Sequence, residues 1–202
     1  MELEDPLSWL APLPLRIAFG LCVLSLYAYI DWRKNGKNAT RFKEYSFVIL
    51  VSMLTVLFAI LHDFITVTIS KDYFVIGKGL DESRLYSQTA WLAIRAAYGP
   101  GLLIGAVYVF LNNPSRNLPQ LSYRQLLSNL RWPLYFAIGM AIVFGILGYL
   151  DVLIRKSDFQ NVVSNPDLFL AVWGIHWGTY VGGGIGFVFG GFRIRSARRR
   201  NV

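Results

Sequence analysis

Residues 173–191 read WGIHWGTYVGGGIGFVFGG, with Gly174, Gly178, Gly182, Gly186 and Gly190 at every fourth position. On a helix this spacing strips one side of side chains, so that a neighbouring helix can approach backbone to backbone, the packing mode of small-residue stripes in membranes. The stretch therefore predicts a long helix on which the rest of the chain packs. The same helix carries His176 and, four residues on, Tyr180, on a face beside the glycines. A histidine at membrane depth is costly unless it has a partner or a task. What meets His176 is therefore the question for the remaining sequence.

The 202 residues are 54% hydrophobic and 16% charged, with a mean hydropathy of +0.43. That is too apolar for an ordinary soluble domain, and the expected class is an all-α, polytopic transmembrane helix bundle forming a single domain over 1–202. A net charge of +8 would suggest nucleic acid in a soluble protein. Here Lys and Arg concentrate between apolar runs and at the C-terminus, where membrane topology accounts for them, so no nucleic-acid partner is expected. The single cysteine, Cys22, lies within an apolar run, which excludes a disulfide framework and a cysteine-based metal knuckle. The N-terminal MELEDPLSWL has no basic n-region, so the first apolar segment is expected to be retained rather than cleaved.

Five apolar runs are long enough to span a ~30 Å hydrocarbon core: 13–30, 46–69, 89–111, 133–154 and 168–192. Arg33, Lys34, Lys37, Arg41 and Lys43 follow the first. Arg116, Arg124 and Arg131 precede the fourth, and Arg193, Arg195, Arg198, Arg199 and Arg200 close the chain. Acidic residues gather in the alternate segments: Glu2, Glu4, Asp5, Asp72, Asp81, Glu82, Asp151, Asp158 and Asp167. The positive-inside rule then places the N-terminus outside and the C-terminus inside, with the arginine tail on anionic headgroups. Segment 123–130 is expected to be a short interfacial helix. Gly99-Pro100-Gly101 is expected either to kink the third span and open a small cavity, or to be absorbed by packing. Ala137, Ala141, Gly145 and Gly148 give the fourth span a small-residue face suited to the glycine stripe. Trp9, Trp91, Trp132, Trp173 and Trp177 fall near span ends, as an aromatic belt would.

Topology fixes depth. His62 and His176 each lie about seven or eight residues inside the outer ends of their spans, so both sit roughly 10 to 12 Å deep. Arg95 lies near the same layer and Asp151 nearer the surface. One reading is a transition-metal site, for zinc, copper or iron, with ligands from His62, His176, Asp63 and Asp151 and support from Arg95, Tyr149 and Tyr180. Adjacent helical residues point about 100° apart, so His62 is expected to ligate and Asp63 to orient it or to pair with Arg95. A second reading is a haem b held between two axial histidines. A third is a hydrogen-bonded network that fixes helix register or lines a hydrated path, and metal-free general-base chemistry by His62-Asp63 is a fourth. The five-glycine face also suits a membrane-protein partner or a second copy, making an accessory subunit the competing class of function.

HDFITVTISKDYF, residues 62–74, resembles a signature of small uncharacterised bacterial integral membrane proteins, roughly HDxxTxxxSxxYF, with His62, Asp63, Thr66, Ser70, Tyr73 and Phe74 at the matching positions. Lys71-Asp72 stands where the pattern has Pro-Glu. The resemblance covers about a dozen residues, implies a multi-pass protein of the bacterial inner membrane, and supplies no activity.

Overall fold

A computed structural model describes residues 12–113 and 118–200. The expectations for Glu2, Glu4, Asp5, Trp9 and Arg116 fall outside the described residues. The chain is all-helical: α1 Leu13–Asn35, α2 Arg41–Ile69, α3 Lys71–Lys78, α4 Leu85–Leu111, α5 Tyr123–Ser128, α6 Arg131–Tyr149 and α7 Pro166–Arg200. Among the described residues, four segments are long and apolar enough to cross a membrane, centred on α1, α2, α4 and α6. Helix α7 is not among these four, although it is the longest at 35 residues. The glycines that let it pack contribute almost no apolar surface, and Trp173, His176 and Trp177 lower its hydropathy further.

Two close pairs, α2 with α4 and α6 with α7, form the body of the bundle, and contacts between the pairs are sparse. In the second pair the stripe works as its spacing predicts. A Cβ added at Gly174, Gly178 or Gly182 would run into the carbonyl oxygens of Phe144, Met140 and Phe136, and one at Gly186 would meet Pro133 and the Trp132 carbonyl. Ala137, Ala141 and Gly145 of α6 lie against it. Gly190 receives the hydroxyl end of Tyr108 from α4, whose OH donates to the Phe187 carbonyl oxygen at 3.2 Å. All five glycines are therefore packed against the chain's own atoms.

The α2–α4 pair uses the same device. Thr89, Ala93, Ala97, Gly101 and Gly105 are buried at every fourth position of α4. A Cβ at Gly101 would lie 2.6 Å from Ser52 Cα, and one at Gly105 would lie 2.9 Å from Val48 Cα. Pro100 is carried inside a continuous helix, and Ser52 donates to the Tyr98 carbonyl oxygen beside it at 2.9 Å. Pro100 itself is exposed, and the close contact with α2 is made by its neighbour Gly101. Helix α1 packs lightly on α2, and its Asp31 carboxylate accepts the Thr40 and Arg41 N–H groups at 2.9 and 3.0 Å, holding the start of α2.

Three segments differ from expectation. Residues 71–88, between the second and third apolar runs, contain helix α3: Ser70 breaks the chain in extended conformation (φ −145°), and α3 packs against α2, α4 and α7. Gly79 ends α3 at φ 68°, with Leu80 N–H reaching back to the Phe74 carbonyl at 3.1 Å. Helix α6 stops at Tyr149, several residues before the apolar run does, because Asp151 turns left-handed (φ 62°). Helix α7 in turn continues through the arginines. Arg198 is buried among the Leu111, Asn113, Leu118 and Pro119 carbonyls, and does not face headgroups as expected. Those carbonyls end α4 and line the connection that follows, and the guanidinium supplies donors that the backbone there lacks.

Candidate metal centre

At the α3 end of the bundle, α2 and α7 meet through His62, Asp63 and His176. Asp63 and His176 are buried and His62 is half-buried. The imidazoles touch edge to face, with ring centroids 4.7 Å apart, so the two histidines are level, as the depth count implies. One ligand atom from each of the three residues lies within 4.8 Å of the others. Asp63 Oδ1 is 2.9 Å from His62 Nδ1 and 3.9 Å from His176 Nδ1. Asp63 therefore sits where it can orient His62, and it also faces His176 across the gap to α7.

Two threonines fix the outer side of each ring. Thr179 Oγ1 lies 2.9 Å from the Ile175 carbonyl oxygen and 3.0 Å from His62 Nε2. Thr66 Oγ1 repeats the arrangement from α2, 3.1 Å from the His62 carbonyl oxygen and 3.3 Å from His176 Nε2. Each helix thus lends the other's histidine a hydroxyl. A threonine hydroxyl has one proton, and on helices it is commonly donated to the carbonyl one turn back. The hydroxyl oxygen then accepts from Nε2–H, and each imidazole turns its Nδ1 lone pair inward. A carboxylate only accepts. In this proton order three acceptors converge with no donor among them, an arrangement that a cation at their centre would satisfy. In the alternative proton order Thr179 donates to His62 Nε2 and His62 Nδ1–H donates to Asp63. This satisfies that pair alone, since 3.9 Å from His176 Nδ1 to Asp63 is beyond hydrogen-bond reach.

Aromatic rings close the site. Tyr73 of α3 stacks on His176 (4.7 Å, 19°) and Phe74 meets it at 5.8 Å, while Phe58 lies against His62 at 5.9 Å. Burial, with smaller contributions from Tyr180 and Asp63, pushes the Tyr73 phenol well above its ordinary range, so it stays protonated. Two cavities flank the cluster. A groove of about 670 Å³ between α2, α6 and α7 is lined mainly by Ile, Ala and Gly, with His62, Thr66, Thr179 and Tyr149 its polar members. A second, of about 380 Å³, lies under α3 and reaches His176.

The remaining expected residues are placed as follows. Asp151 stands outside the three-residue group, because α6 ends before it; it is exposed and accepts the Lys156 N–H. Tyr149 lines the groove that His62 borders, Tyr180 lines the pocket under α3, and Arg95 is half-buried on α4. Thr179 escapes the sequence reading, although its position three residues after His176 puts it on the same side of α7. Haem b does not fit: imidazoles in edge-to-face contact leave no space for a porphyrin between them, and the glycines expected to make room are filled by α6 and Tyr108.

Comparison with protein-family models, curated proteins and solved structures returned no match to this chain. The site is accordingly read from its own chemistry.

Proposed function

We propose that this is a multi-pass protein of the bacterial inner membrane in which His62, Asp63 and His176 bind a transition metal for a redox or hydrolytic step at the periplasmic face. The observation that carries the reading is the convergence of two Nδ1 atoms and one carboxylate oxygen, with each Nε2 held by a threonine. Hydrogen-bonded outer partners of this kind orient metal-binding histidines and set their tautomer. Ligands of a tetrahedral ion with bonds of ~2.0–2.1 Å stand ~3.3–3.5 Å apart, which lies between the two separations that Asp63 makes. Two nitrogens and an oxygen, without sulfur, suit zinc or ferrous iron better than cuprous copper. Three protein ligands leave a position for water or substrate, as in catalytic sites. Bound there, the metal would supply Lewis acidity or a one-electron couple; the chain's part is to hold the tautomers and exclude bulk water.

Five spans, with the N-terminus outside and the C-terminus inside, belong to the same proposal. They are supported by the basic segments after α1, before α6 and at the end of α7, and by the glycine contacts that lay α7 along α6 from Phe144 to Trp132. The 2.9 Å His62–Asp63 contact favours a second reading, a metal-free proton-sharing pair acting as a general base. Elemental analysis of protein purified without chelator separates the two. The proposal expects close to one zinc or iron per chain, lost in both His62→Ala and His176→Ala. Metal-free wild type that cannot be loaded with either ion leaves only the proton-sharing pair.

A further inference from the structure

We propose that the cavity under α3 is a binding site for a small planar organic anion, with Lys78 as its charge partner. The cavity, about 380 Å³, is of small-molecule size, and Tyr73, Phe159, Trp173, Trp177 and Tyr180 give it aromatic walls. Trp173 and Trp177, one helical turn apart, stand 5.6 Å from each other at a 42° tilt and present ring surface along one side. Such walls receive a flat ring by stacking.

The sign of the ligand's charge follows from Lys78. Its ammonium lies 5.2 Å from the Tyr73 ring centroid, and among the described residues no carboxylate pairs with it. The nearby acids are engaged elsewhere. Asp72 accepts the Ser164 N–H at 2.6 Å, Asp167 pairs with Lys156 at 2.5 Å, and Asp63 lies between the imidazoles. An aromatic box alone would select a cation. Here a fixed cation already occupies the Tyr73 face and repels a second, so the complementary ligand is an anion whose charge meets Lys78 and whose ring meets the tryptophans. The cavity borders the His176 ring, but the proposal rests on Lys78 and the aromatic walls and on no metal-binding atom.

The test uses metal-stripped full-length protein in phosphatidylcholine nanodiscs, with 2-naphthoate as probe and 2-naphthamide as its neutral counterpart, titrated by saturation-transfer NMR. Naphthoate is expected to bind saturably, about tenfold more weakly in Lys78→Gln, and near the wild-type level in Lys78→Arg. Naphthamide should bind Lys78→Gln and wild type alike, and Trp177→Ala should weaken both probes. Unchanged naphthoate binding in Lys78→Gln, or none in the folded wild type, overturns the proposal. Displacement of naphthoate by phosphatidylglycerol added to the nanodisc also overturns it, by assigning the seat to a lipid headgroup. Because the metal is absent throughout, failure here leaves the metal reading untouched.

Discussion

Two polar junctions join the α2–α4 pair to the α6–α7 pair, one at each end of the bundle, and they are built on opposite principles. At the arginine end, one guanidinium meets four backbone carbonyls at and beyond the end of α4, and Tyr108 adds a bond from α4 to α7. Donors match acceptors, and a hydrophobic cluster of Phe47, Val51, Leu126 and Ile194 closes over them. At the α3 end, two imidazoles and a carboxylate converge within 4.8 Å, all as acceptors when both threonines donate to their own helix, and cavities adjoin them on two sides. The first is what a junction for stability requires, because an unmatched buried polar group costs about 1–3 kcal/mol. In that proton order the second retains a mismatch in a buried place, which a bound cation would resolve.

The largest expected effect comes from breaking the frame on which both junctions rest. Gly178→Val should drive a side chain into the Met140 carbonyl and lower stability by about 4 kcal/mol or more, read as a collapse of the thermal transition in detergent. Next is Arg198→Met, which strands four carbonyls while keeping volume; a loss of about 3 kcal/mol is expected from the same assay. A loss under about 0.5 kcal/mol would mean that water replaces the guanidinium there and would remove one side of the contrast.

The α3-end junction should respond in a different observable. Thr179→Val frees His62 Nε2 and is expected to weaken metal affinity about 10- to 100-fold in chelator competition, with little change in metal-free stability. Asp63→Asn sharpens the contrast further. An amide can donate to an imidazole lone pair, so the metal-free variant should be as stable as wild type or slightly more so, within about 1 kcal/mol, while it no longer retains metal. A large loss of metal-free stability in Asp63→Asn would make the α3 end a structural junction like the other. Smallest of all, Gly184→Ala, at a glycine with open space around it, should stabilise α7 by at most about 1 kcal/mol.

Spacing was the legible part of this fold. Four-residue periodicity identified the α7 stripe, and counting depth along α2 and α7 put His62 level with His176. The same arithmetic carried further would have found more. Continued past Gly190 it lands on Ile194 and Arg198, both buried, so the anchoring arginine was marked out from its neighbours in the tail by position alone. Applied to α4, it gives the Ala93, Ala97, Gly101, Gly105 face. Side-chain reach and helix ends were not legible. Asp63 reaches its chain neighbour His62 at 2.9 Å, a contact that a helical wheel does not represent. Asp151 drops out because a left-handed turn ends α6 while apolar residues continue. Helix α3 was hidden in a mixed-charge segment, yet it supplies the ring stacked on His176.

The central claim is that Asp63, His62 and His176 converge on a cation. It is tested most directly by X-ray absorption at the zinc or iron edge on the loaded protein, beside His176→Ala. The account predicts a first shell with two imidazole nitrogens and a carboxylate oxygen, at ~2.0–2.2 Å for zinc, and loss of the imidazole scattering of one ring in the variant. A spectrum without imidazole scattering, or one identical in His176→Ala, would contradict it.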